Sequence, residues 1–129
     1  MNIIFILIDT LRRDHLGCYG NDWIKTPNMD ALASKGVLFE SAYLGSYPCM
    51  PARRDTWTGN FEFPWRGWGP LEPTDPDIAK IVTQNGHTSM VISDHYHMWE
   101  RGSGNYFFNF SGAEYIRGQE NDLWITDPD

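Results

Sequence analysis

An α/β fold on a mainly parallel sheet flanked by helices is what this 129-residue chain predicts, and three observations lead there. Short, unbroken apolar runs bounded by polar residues are what strands buried on both faces look like. Amphipathic stretches with helical spacing separate these runs. The resulting order of strand, helix, strand, helix, strand implies a parallel arrangement.

Asn2 to Ile8 is expected as a central strand, since residues 3–8 are all apolar. Asp9 then falls just past its carboxyl end, where the loops of an open α/β sheet form the ligand crevice. Thr10 to Gly20 reads as a loop or short helical turn. Thr26-Pro27-Asn28 supplies an N-cap with proline at the first helical position, Met29, Leu32 and Ala33 share a face, and Gly36 fits the end of that helix. Val37 to Ala42 is expected as the next strand, leading into the loop that carries Cys49.

A helix is expected from Arg53 to Thr58, with Cys49 and Pro51 at its entry. Phe61 to Leu71 contains too many prolines and glycines to be regular, and reads as a loop with bulky aromatics. Asp75 to Asn85 returns to helix, capped by Thr74 or Asp75, with Ile78, Ile81 and Val82 on one face and Gly86 at its end. Thr88 to Ser93 is expected as a second buried strand, followed directly by Asp94-His95-Tyr96-His97. From Gly102 onward there is little periodicity and no closing element. The expectation is therefore that residues 1–129 are the N-terminal piece of something longer, with no internal boundary.

Ten basic against 17 acidic residues give a net charge of −7, which argues against a nucleic-acid surface. The basic doublets Arg12-Arg13 and Arg53-Arg54 are too short for a polyanion track; each reads as a solvated patch or a local anion pocket. The apolar run at residues 3–8 is too short to span a bilayer and lacks the flanks of a secretory signal, so no membrane association and a cytoplasmic location are expected. Two cysteines, Cys18 and Cys49, permit a disulfide that a reducing compartment disfavours.

Three polar groups are expected to converge on one sheet edge: Asp9, the segment Cys49 to Arg53, and Asp94 to His97. A helix N-terminus offers free N–H groups and a positive dipole end to an anion, and Arg53 adds a charged fork that holds an oxyanion bidentately. By residue type alone the bland readings stand beside this one. Asp9 serves equally as a turn residue, Cys49 as a small buried thiol, Arg53 as a helix-surface charge and His97 as a structural histidine. His95-x-His97 with a cysteine elsewhere suggests zinc only weakly, without Cys-x-x-Cys or His-rich spacing. Trp65 and Trp68 either wall a cleft or pack under a loop.

Cys49-Met50-Pro51-Ala52-Arg53 fits the Cys-x-Pro-x-Arg signature of type I sulfatases. It stands in order with Asp14-His15-Leu16-Gly17-Cys18-Tyr19-Gly20, with Thr26 to Ala33 running into Gly36-Val37-Leu38-Phe39, with Thr58-Gly59 and with Asn85-Gly86-His87-Thr88. In this arrangement the chain resembles the N-terminal portion of a formylglycine-dependent sulfatase of the alkaline phosphatase superfamily. The resemblance implies an alkaline-phosphatase-like fold, incomplete in this chain, and hydrolysis of small-molecule or saccharide sulfate esters. It also implies oxidation of Cys49 to formylglycine by a formylglycine-generating enzyme.

By the same resemblance Asp9 and the modified Cys49 bind a divalent cation, calcium first and magnesium or manganese as alternatives, and Cys49 is also the nucleophile. Arg53 stabilises developing negative charge, and His97 contacts sulfate or transfers a proton. His95 stands where the family usually has a sulfate-binding lysine, and Thr10 where many members have a second aspartate, so Thr10 offers the metal a neutral oxygen or nothing. Two rival readings remain: a phosphodiesterase or phosphonate monoester hydrolase with the same nucleophile, and a non-catalytic truncated relative.

Overall fold

Two short parallel strands make up the sheet of the described residues, which in the computed structural model are 1–61, 63–100 and 104–118. Strand β1, Met90–Ser93, pairs with β2, Gly112–Tyr115, in a register that sets Met90 opposite Gly112 and Ser93 opposite Tyr115. A parallel pair needs a crossover, and among the described residues it runs through 3-10 turns at Tyr96–Met98 and Gly104–Phe107. The chain divides into two compact units, Met1–Tyr43 and Leu44–Asp129.

In the first unit the helix expected after Thr26 forms as α1, Pro27–Lys35, with proline in its first turn and Gly36 as its C-cap. Thr26 does not cap it through its side chain. Its Oγ1 instead accepts the Gly17 N–H at 2.9 Å and donates to Asp30 Oδ1, which also accepts the Cys18 N–H at 2.7 Å. A Cβ on Gly17 would stand 2.4 Å from Asp30 Oδ2, so the approach of this carboxylate dictates glycine there. No residue of this unit is buried, and its local order comes from such polar ties. The Arg13 guanidinium lies 4.5 Å from the centre of the Tyr19 ring, whose hydroxyl donates to the Phe39 carbonyl at 2.8 Å.

Neither expected strand of this unit forms. Residues 2–8 and 37–42 belong to no helix or ladder, and their apolar side chains are exposed, Ile4 at 85% and Val37 at 80%. An apolar run records a demand for cover on both faces, whereas a strand exists only where a neighbour takes up its N–H and C=O groups. The pattern was readable, but no strand among the described residues pairs with either run.

The second unit holds the buried core: Met50, Leu71, Val91, Met98, Tyr106 and Phe107, with Cys49, Trp57, Trp99 and Phe110 packed against it. Helix α2, Cys49–Thr58, follows the cis Tyr47–Pro48 bond and ends at Gly59 in the left-handed conformation, φ 73°. It therefore starts at Cys49, four residues before the expected Arg53. Trp57 crosses to Tyr106 and Phe110 edge-on, and its Nε1 donates to the Tyr106 carbonyl at 3.1 Å.

Helix α3 is Ile78–Gln84, capped by Asp77 and not by Thr74 or Asp75. Asp77 Oδ1 accepts the Ala79 N–H at 2.8 Å, while its Oδ2 accepts Asn109 Nδ2 at 2.6 Å. Gly86, at φ 78°, closes the other end as expected: the Gly86 and His87 N–H groups reach back to the Thr83 and Val82 carbonyls. Strand β1 lies within the expected Thr88 to Ser93, but only Val91 is buried, with Met90 and Ile92 each 61% exposed. Strand β2 lies in the stretch that showed no periodicity.

The aromatic loop is irregular, as expected, yet anchored. Asn105 pairs with Leu71 in both directions, Nδ2 donating to the Leu71 carbonyl at 2.6 Å and Oδ1 accepting the Leu71 N–H at 2.9 Å. Tyr106 donates to the Gly69 carbonyl, and Arg54 Nη1 to that of Pro70. No helix of the described residues is long and apolar enough to cross a membrane.

Candidate active site

The candidate residues of the second unit gather where α2 begins and β1 ends. Cys49 is the first residue of α2, half-buried against the core, and Met50 beside it is fully buried. Burying Met50 fixes the rotation of the first turn, and with it the direction of the Cys49 Cα–Cβ bond. Pro48 and Pro51 flank the entry, and proline suits a first helical turn because its missing N–H has no intrahelical partner there.

Arg53, one turn further along α2, is 7% exposed, and its neighbour Arg54 is 4% exposed. Neither is the solvated surface charge that a basic doublet often is. Arg54 forms an ion pair with Asp75 and carries the loop carbonyl of Pro70, a structural duty. Arg53 lies one turn along α2 from Cys49 and is likewise buried.

From the other side, the backbone leaving β1 turns through Asp94 to His95, whose N–H is accepted by Ser93 Oγ at 3.1 Å. His95 is 5% exposed, and one of its ring nitrogens lies within 4.8 Å of Cys49 Sγ. Its ring centre stands 5.5 Å from that of His97. His97 in turn meets the edge of Trp68 at 4.7 Å and engages Glu100 through Nδ1 at 2.8 Å. The series Cys49, His95, His97, Glu100 thus joins the helix entry to the turn after β1 through side chains alone.

Asp9 and Thr10 lie in the first unit, in a turn directly after the apolar run. Thr10 has φ 54°, a left-handed conformation that a β-branched residue adopts only under strain. The sequence singled out Asp9, Thr10, Cys49, Arg53, His95 and His97, of which Cys49, His95 and His97 stand close together in the second unit. It missed Glu100, for which the signal was available: spacing of three from His97 in a turn of helical handedness.

As it stands, the thiol of Cys49 beside the imidazole of His95 is a soft or borderline donor pair, which suits zinc better than calcium. A hard cation requires oxygen, and Cys49 offers it only after oxidation to an aldehyde hydrate. The two halves of this region are a helix-entry cysteine with a buried arginine one turn on, and a histidine pair after a parallel strand.

The sulfatase family model matches residues 1–128, and the chain belongs to the sulfatase family. It is 32% identical to iduronate 2-sulfatase of Mus musculus over 131 aligned positions, covering 93% of this chain and 23% of that protein. Arylsulfatase G of Mus musculus is 29% identical, over 98% of this chain and 25% of its own length, and the arylsulfatase of Clostridium perfringens 43% identical over 45% and 12%. The chain spans about a quarter or less of the length of these relatives. No solved structure matches it.

Proposed function

We propose that residues 1–129 are the N-terminal part of a sulfatase catalytic domain, with an alkaline-phosphatase-like parallel sheet, whose protein hydrolyses sulfate esters. The observation that carries this is the family match over residues 1–128, and the Cys49-Met50-Pro51-Ala52-Arg53 segment that opens α2 supports it. Its relatives are named for iduronate, aryl and ulvan substrates, so the sulfate ester is the shared chemistry and the alcohol differs.

In this reading a formylglycine-generating enzyme oxidises Cys49, and the hydrated aldehyde supplies both the nucleophilic oxygen and an oxygen for the metal. Asp9 is the second ligand, with Thr10 beside it, for calcium or alternatively magnesium or manganese. The cation, when bound, lowers the charge repulsion between nucleophile and sulfate. Arg53 faces the same charge through its guanidinium and, being buried, does so at low local dielectric. His97 transfers the proton at the leaving oxygen, and its Nδ1 contact with Glu100 leaves that exchange to Nε2. His95 takes the place of the family's lysine at the sulfate.

That last substitution is also what favours a second reading, a phosphodiesterase or phosphonate monoester hydrolase built on the same motif. The protein from its native host, assayed on matched aryl sulfate and phosphonate diester substrates, separates the two by the ratio of kcat/KM. Mass spectrometry of the Cys49 peptide from that protein is expected to show the aldehyde. An unmodified thiol there, or full activity in Cys49→Ala, sinks the formylglycine reading, and a properly modified protein inactive on both substrates supports a non-catalytic relative.

A further inference from the structure

Glu100 lies outside the Cys49–Arg53 motif and outside the His95–His97 pair, yet its Oε1 stands 2.8 Å from His97 Nδ1. The two side chains are 22% and 27% exposed, so the contact is shielded but not sealed. A partly exposed pair three residues apart contributes little to stability, on the order of 0–1 kcal/mol. Its consequence is geometric. The His97 ring is held at one nitrogen by Glu100, on one edge by Trp68 at 4.7 Å, and towards Cys49 by the His95 ring at 5.5 Å.

We infer that Glu100 is a positioning residue for His97: its carboxylate accepts a hydrogen bond from Nδ1–H, selects the tautomer whose proton exchange runs through Nε2, and stops the ring from flipping. This rests on the reading of His97 as the proton-transfer residue of ester hydrolysis. No bond is made or broken by Glu100 itself; it accepts the Nδ1 hydrogen bond before and after His97 gives up or regains the Nε2 proton. Sequence supports the assignment only through spacing, because no other carboxylate within four residues of His97 on its carboxyl side is available to reach back along the turn.

The test is Glu100→Ala and Glu100→Gln in the native protein, read by 15N chemical shifts of labelled histidine and by steady-state kinetics on an aryl sulfate. In Glu100→Ala the His97 signal is expected to leave the Nδ1–H tautomer, with kcat falling roughly 10- to 100-fold and KM little changed. Gln retains a carbonyl acceptor, so Glu100→Gln is expected to recover the tautomer and much of the rate. An unaltered His97 tautomer in Glu100→Ala, or a loss in kcat of less than about 3-fold, overturns the proposal. If the wild type hydrolyses no sulfate or phosphonate ester while the tautomer still changes in Glu100→Ala, the contact is upheld and the hydrolysis reading alone fails.

Discussion

Arg54 and Asp75, 21 residues apart in sequence, form an ion pair closed off from solvent, their side chains 4% and 5% exposed. Arg54 also donates to the Pro70 carbonyl, and Asp75 also accepts the Glu72 N–H at 2.7 Å, so each charge has further hydrogen bonds. Burial of this kind is costly to half-dismantle, because the remaining carboxylate keeps its charge and is left facing the more distant Arg66 Nη1, at 3.5 Å. Arg54→Met is expected to lower stability by about 3–5 kcal/mol in denaturant titration, and Arg54→Met with Asp75→Asn by less than Arg54→Met alone. If the double substitution is as damaging as the single, the charge left on Asp75 is not the cause.

The other member of the doublet carries a different expectation. Arg53→Lys keeps a positive charge but loses the planar fork, so folding is expected to survive while kcat on an aryl sulfate falls by roughly 10²–10³. A variant with wild-type kcat and a weakened fold would show that Arg53, like Arg54, is structural.

Asp77 closes two contacts with one carboxylate. Asp77→Ala is expected to lose about 1–2 kcal/mol for the cap of α3, with a further loss of about 1 kcal/mol for the Asn109 amide. Asp77→Ser retains an oxygen for the Ala79 N–H and separates the two: its loss of stability is expected to be the smaller, and equal losses would show that the cap is worth nothing here.

Burial pushes the Tyr106 phenol up from 10 to about 12, an effect that Arg54 opposes and Asp75 reinforces. The folded protein therefore holds this proton over a range in which the unfolded chain has released it. Stability from this source is complete below pH 10 and is lost as pH rises through about 12. The slope approaches about 1.4 kcal/mol per pH unit in that window. Unfolding measured at pH 9 to 12 in wild type and Tyr106→Phe checks it: the alkaline decline shared by both belongs to other groups, and identical slopes in the two proteins would remove Tyr106 as a contributor.

Local signals proved legible where they were self-contained. Thr26-Pro27 and Gly36 bracket α1 and Gly86 ends α3, because helix-end signals need nothing from afar, whereas of the apolar runs only Met90 to Ser93, which finds a partner in β2, forms a strand. The start of α3 was misread because Asp75 and Asp77 are equally good caps by type. A distant guanidinium chose between them, taking Asp75 and leaving Asp77 to the helix. Strand β2 could not be seen, since Gly112-Ala113-Glu114-Tyr115 has weak strand propensity and is made a strand by the edge of β1. In the site, residue types were readable from the motif, whereas the link from His97 to Glu100 and Trp68 needed the turn after β1 and the aromatic loop to be placed.

That loop shows that irregular backbone is not the same as loose backbone. Asn105 presents its amide to Leu71 much as a neighbouring strand would, and the Gly69 and Pro70 carbonyls are each taken by a buried side chain. In hydrogen-exchange terms the Leu71 amide belongs with the core, opening only when the segment around Asn105 lets go. Trp68, whose ring centre stands 4.7 Å from that of His97, directly precedes these anchors, so its backbone shares their restraint.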